Sequence, residues 1–219
     1  MRALVTGGTG KLGSAIVARL EQAGWQVVAA GTKDGDLADA SAARALVERA
    51  VAELGGLDVL VNGAAAGFEP KPVEDVTESD WDAALGATAK GSFFVTQAAA
   101  PHLRSNGGVV VMLEDVAAYQ PWPSFAPHSA AKAAQAMLTR VFARALAPEV
   151  RVCGVAPGPV AVDRGQEERR AAETLLGKVG SPDDVADAVL YLARADFVTG
   201  TSLVVDGGSL VQSGSLGGT

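Results

Sequence analysis

Short apolar runs rich in β-branched residues alternate with helical stretches along the whole chain. RALVT (2–6), QVVAA (26–30), LDVLVN (57–62), VVVML (109–113), RVCGVA (151–156) and SLVVD (202–206) read as strands. Helical patterns lie between them at about 12–23, 41–54, 79–104, 127–146 and 182–193. Strand runs that are apolar at nearly every position are buried on both faces, which predicts an α/β, Rossmann-like doubly wound parallel sheet flanked by helices on both sides. In the 127–146 stretch, Met137, Leu138, Val141, Phe142 and Leu146 recur at helical spacing, and the pattern stops before Pro148. Only GTKDG separates the second strand from DLAD, where a further helix could have stood. No repeat, low-complexity linker or break in composition marks a boundary, so residues 1–219 are expected to form a single domain. Residues 212–219 read as a Gly/Ser-rich tail, either frayed or ordered by a neighbouring subunit.

Composition and charge narrow the function. The 48% of hydrophobic residues is enough for one sizeable core, and with 5% aromatics that core must be built from Ala, Val and Leu. A net charge of −7 without any Lys/Arg run argues against a nucleic-acid or anionic-membrane partner, leaving a small molecule or another copy of the chain. Cys153, the single cysteine, sits inside RVCGVA and is expected to pack there, which suits a reducing cytoplasm. No leader is expected ahead of the first strand, and no apolar run approaches the roughly 18–20 residues that cross a bilayer. No metal is expected.

The stretch ALVTGGTGKLGSAIVARL places a glycine-rich turn directly between the first strand and the first helix. There Gly7 and Gly13 let backbone approach a pyrophosphate, which the free N–H groups and dipole of the helix N-terminus stabilise. The loop is not a P-loop, because Lys11 is followed by Leu12 rather than Ser or Thr.

From Thr6 to Gly13, and again in DLAD (36–39), LVNGAA (60–65), VAPGPV (155–160) and VTGTSLVVDGG (198–208), the chain resembles the short-chain dehydrogenases/reductases. The resemblance covers nearly the whole chain and implies about seven strands, a nicotinamide dinucleotide and a homotetramer or homodimer. It implies dinucleotide contacts at Gly7, Thr9, Lys11, Leu12 and Gly13, at Asn62, Gly63 and Ala64, and at Pro157, Gly158 and Val160. Thr32, Lys33, Asp36 and Leu37 would surround the adenosine. Lys11, APHLR (100–104), Asp115 with Gln120–Pro121, and LAPEVRVCGVAPG (146–158) are similar to the pteridine reductase branch. Gly63 stands where the family has a second asparagine.

An acidic residue after the second strand would accept hydrogen bonds from the ribose and select NAD, whereas a basic or hydroxyl residue accommodates a 2'-phosphate. Thr32 and Lys33 occupy that place and favour NADP(H), although Lys33 also fits a solvated turn and Asp34 keeps NAD(H) open.

The family's Asn, Ser, Tyr and Lys correspond to Thr88, Asp115, His128 and Lys132. Only the lysine is retained; the resemblance implies that it holds the nicotinamide ribose. Thr88 offers a hydroxyl without an amide, and equally suits a helix residue bonding to its own backbone. His128 and Lys132 are spaced to share one helix face. A lysine ammonium favours the neutral imidazole, whereas a carboxylate favours the charged one. Asp115 is the carboxylate that the alignment places nearby, and either it or His128 could deliver a proton. His128 also fits an ordinary helix-start residue. Phe68 resembles the aromatic that stacks on a flat pterin, and equally suits a loop hydrophobe folded on the core. Residues 161–178 read as a charged, helical lid. Two readings follow: an NAD(P)H-dependent reductase of a pterin-like heterocycle or a carbonyl, and a catalytically degenerate member that binds nucleotide as a sensor or structural subunit.

Overall fold

Six parallel strands form one sheet in the computed structural model, which describes residues 1–67 and 69–212. They are β1 (Arg2–Thr6), β2 (Gln26–Ala30), β3 (Val59–Asn62), β4 (Val109–Leu113), β5 (Arg151–Pro157) and β6 (Ser202–Val205), in the order β2-β1-β3-β4-β5-β6. Alternate side chains go to opposite faces. Leu4, Leu60, Val110, Met112 and Val152 pack under α2 (Ala40–Leu54), α4 (Gly91–Arg104) and α5 (Ala126–Leu146). Ala3, Val5, Val61, Val111, Cys153 and Val155 pack under α1 (Lys11–Gln22) and α7 (Pro182–Arg194). Burial on this second face raises the Cys153 thiol above its ordinary pKa.

The expected seventh strand is absent among the described residues. Between β2 and α2 the chain makes a 3₁₀ turn at Thr32–Asp34 and then enters α2, whose N-terminus Asp39 caps by accepting from the Ser41 and Ala42 amides. That link is too short to hold a further helix and strand, so β2 is the sheet edge.

The helix expected over 79–104 is interrupted. It comprises α3 (Glu78–Leu85), a π-helical turn at Gly86–Lys90, and α4. Thr77 and Asp80 form a capping box that starts α3, and Lys71 holds the same Asp80 carboxylate at 2.7 Å. The expected lid is helical over α6 (Glu167–Ala171), the rest being turns, bends and irregular chain. A last short helix, α8 (Ser209–Gln212), follows β6; residues 213–219 of the expected tail lie outside the described residues.

The sheet positions the site. Strand order reverses at β1, with β2 on one side and β3 on the other, which opens a crevice beyond their carboxyl ends. Among the described residues no helix is long and apolar enough to cross a membrane.

Candidate active site

Beyond β1, Gly7 adopts φ 67°, in the left-handed region, and its carbonyl accepts from the Gly10 amide. A Cβ at Gly7 would overlap the Gly63 carbonyl beyond β3, and one at Gly13 would overlap the carbonyl of Gly7. The two turns at the crevice therefore pack backbone on backbone. Helix α1 begins with Gly10 as its N-cap and no side-chain cap, so its first amides face the crevice without an internal acceptor from a capping side chain.

A cavity of about 490 Å³ lies against this cradle. Gly7, Thr9, Thr32, Asp36, Leu37, Gly63 and Ala64 line it, as the sequence suggests for a dinucleotide. Gly10, Gly31, Leu46 and Ala87 line it too and were not read from the sequence. Leu46 belongs to α2, and Ala87 belongs to the π turn; neither element's place at the cavity is visible from local pattern. Uncapped amides, glycines where a Cβ would fill the space, and a cavity of this size fit a nicotinamide dinucleotide.

The remaining cofactor candidates stand outside that lining. Lys11 donates to Asp163 at 3.0 Å across the exposed mouth, and Lys33 is exposed on its 3₁₀ turn. The Asp34 carboxylate accepts from the Gly31 amide at 2.8 Å and from Arg49 at 3.4 Å. Asp36 also caps its own turn, accepting from the Ala38 amide. Asn62 is buried and donates to the Thr96 hydroxyl at 2.9 Å, tying β3 to α4. At the replaced asparagine, the Gly63 amide donates to the Thr6 carbonyl, so β1 and β3 stay tied. Leu12 packs on the α1–α7 core and Gly13 is buried. Pro157 ends β5, the Gly158 amide donates to the Val205 carbonyl, and Val160 lines a separate cavity of about 170 Å³. Phe68 lies outside the described residues.

Where β4 ends, the chain brings Asp115, His128 and Lys132 together. Asp115 caps a 3₁₀ turn at Val116–Ala118, one carboxylate oxygen accepting from the Ala117 amide at 2.8 Å. Its other oxygen is 3.5 Å from His128 Nε2. His128 and Lys132 are both 5% exposed, one turn apart on α5. Lys132 Nζ donates to the Leu113 carbonyl at 2.6 Å and to Gln135 Oε1 at 3.1 Å. Burial lowers this ammonium to about 8, against the opposing pull of Asp115 and Glu114. Thr88 is buried within the π turn, which packs against α5; such turns recur at functional sites because the extra residue re-aims its neighbours.

One charged group here was missed from the sequence. Glu114 is 2% exposed and accepts from the hydroxyls of Thr139 and Tyr119, each at 2.6 Å. Burial first, and then the bond to Glu114, push the Tyr119 phenol up to about 12. A carboxylate directly after the apolar run VVVML was the available signal. Two cavities flank the cluster. One, about 520 Å³, is lined by His128, Lys71, Asp80 and Ser124; the other, about 370 Å³, by Val116, Gln120, Trp122 and Arg170.

A family model described as enoyl-(acyl carrier protein) reductase matches residues 14–209. The 4-formylbenzenesulfonate dehydrogenase of Comamonas testosteroni is 36% identical, with 94% of this chain and 96% of that protein covered. Dehydrogenase/reductase SDR family member 4 of Homo sapiens is 32% identical, with 94% and 86% covered. Among solved structures, a short-chain dehydrogenase/reductase (glucose/ribitol dehydrogenase) from Brucella melitensis matches with a TM-score of 0.85 at 28% identity, covering 95% and 96%. Likeness that runs through nearly the whole chain, in sequence and in fold, makes this protein a member of the short-chain dehydrogenase/reductase family, whose members use a nicotinamide dinucleotide.

Proposed function

We propose that this protein is an NADP(H)-dependent reductase in which the Asp115–His128 pair supplies the proton and Lys132 holds the nicotinamide ribose. The 3.5 Å approach of Asp115 to His128, one helical turn from a buried Lys132, carries the reading. A bound nicotinamide supplies the hydride; the protein must deliver a proton to the oxygen or nitrogen that accepts it. An imidazolium beside a carboxylate is such an acid, and the carboxylate offsets the charge that two cations in one buried site would otherwise leave.

Support for NADP(H) over NAD(H) comes from the end of β2. Thr32 lines the cavity, while Asp34 is committed to Gly31 and Arg49 and so does not offer its carboxylate to a ribose. The substrate is a small molecule, either a carbonyl compound or a pterin-like heterocycle. Cavities of about 520 and 370 Å³ beside the cluster, the latter walled by Gln120 and Trp122, suit a compact polar ring. We place the protein in a reducing cytoplasm, in keeping with its single buried cysteine. A homotetramer or homodimer is supported by Met137 and Val141 on α5 and by Leu203 and Val204 on β6, all exposed in the isolated chain.

The replacement of three family residue types by Thr88, Asp115 and His128 favours a second reading, a nucleotide binder without turnover. Absorbance-monitored NADPH oxidation over a panel of aldehydes, ketones and dihydropterins, run beside His128→Tyr, separates the two. Turnover by the wild type supports the reductase. Tight NADPH binding without oxidation of any compound, in either protein, supports the binder.

A further inference from the structure

Helix α5 buries a polar stripe, with His128, Lys132, Gln135 and Thr139 all inward. Gln135 is 0% exposed in a stretch otherwise made largely of alanine, where packing alone requires no carboxamide. Both ends of its amide are engaged. Oε1 accepts from Lys132 Nζ at 3.1 Å, and Nε2 donates to Ser92 Oγ at 2.8 Å. Ser92 lies in the first turn of α4, just after the π turn that carries Thr88. The amide is thereby held oxygen-first against the ammonium, and it registers α5 to the start of α4.

We propose that Gln135 is a positioning residue that keeps Lys132 charged and aimed at the cofactor. The proposal rests on the reading above that Lys132 holds the nicotinamide ribose. An ammonium has three N–H donors, and the Leu113 carbonyl and Gln135 take two of them. Fixing two donors fixes the direction of the third. A buried ammonium also needs acceptors to stay protonated, because desolvation favours the neutral amine. The other ionisable groups around it are Asp115 and Glu114 after β4, with Tyr119 bonded to Glu114, and His128 one turn earlier on α5. Gln135 differs from the two carboxylates in touching the ammonium directly. Position 88 holds a threonine, and Gln135 is the amide that touches the ammonium.

The test reads Lys132 itself. In protein labelled with [ζ-¹⁵N]lysine, the Lys132 resonance is assigned by its loss in Lys132→Met and followed against pH in wild type, Gln135→Met and Gln135→Glu. Gln135→Met keeps the volume and removes the acceptor; the midpoint is expected to fall by about one pH unit, a tenfold change in proton affinity. Gln135→Glu replaces the acceptor by a charged one, and the midpoint is expected to rise by at least as much. Parallel NADPH fluorescence titrations at alkaline pH are expected to show Gln135→Met weakened and Gln135→Glu strengthened. If Gln135→Met does not fold, the near-isosteric Gln135→Glu decides by itself. A Lys132 midpoint unchanged in every folded variant overturns the proposal. Failure of the wild type to bind NADPH at neutral pH would instead remove the cofactor reading, while the lysine titration would still report on Gln135.

Discussion

Lys132 is a buried cation whose charge is balanced by neighbours. Its pKa of about 8 lies below the 10.5 of a free lysine. Between those values the unfolded chain holds a proton that the folded chain lacks, so folding stability is expected to rise as pH climbs through that window. Below about 8 both states carry the charge, and this contribution stays at its least favourable level. Urea denaturation at a series of pH values is expected to show a shallower rise in Lys132→Met than in wild type; equal slopes would mean that Lys132 titrates normally. Asp115, His128 and Lys132 were legible as a set because motif spacing aligns them with family positions. Glu114 and Gln135 were not, since their importance comes from burial between β4 and α5, which local sequence does not encode.

At the level of elements, α5 shows where periodicity reads correctly and where it misleads. Its large apolar residues predict a buried face, and Phe142 and Leu146 are indeed buried. Met137 and Val141, counted in the same pattern, are 54% and 47% exposed, and the polar stripe lies inward instead. An alanine-rich helix packs closely enough for polar side chains to reach the end of β4, and their hydrogen bonds offset the cost of burying them. The break between α3 and α4 was equally hidden, because GATAK carries no proline to mark it. The strands were readable throughout, since each is apolar and bounded by turn residues. Helix α3 carries one wall of the cavity that reaches His128, and it starts at the Thr77–Asp80 capping box. Loss of that cap in Thr77→Ala is expected to lower Tm by about 2–4 °C, measured by circular dichroism. An unchanged Tm would show that Lys71 alone anchors α3 through Asp80.

For the molecule as a whole, the sheet brings the glycine-lined cavity and the Asp115–His128–Lys132 cluster to the same carboxyl edge, although they come from distant parts of the chain. The six-stranded outcome follows from one short link, which the sequence displayed but the family resemblance outweighed. The proposed assembly with further copies would cover the apolar Met137 and Val141 side chains that α5 leaves exposed. The double substitution Met137→Glu with Val141→Glu is expected to reduce the mass measured by analytical ultracentrifugation; an assembly of unchanged mass would place the interface elsewhere. The proposed acid at Asp115–His128 serves the hydride acceptor. The most direct measurement is the single-turnover rate of NADPH oxidation against pH, from about 5 to about 9, for wild type and Asp115→Asn. A rate that depends on a bound acid falls once that acid is lost, so the profile is expected to decline with rising pH, and Asp115→Asn is expected to be slower by about 10²-fold or more. A flat wild-type profile, or an Asp115→Asn variant as fast as wild type, would contradict the claim and leave the cluster a cofactor clamp.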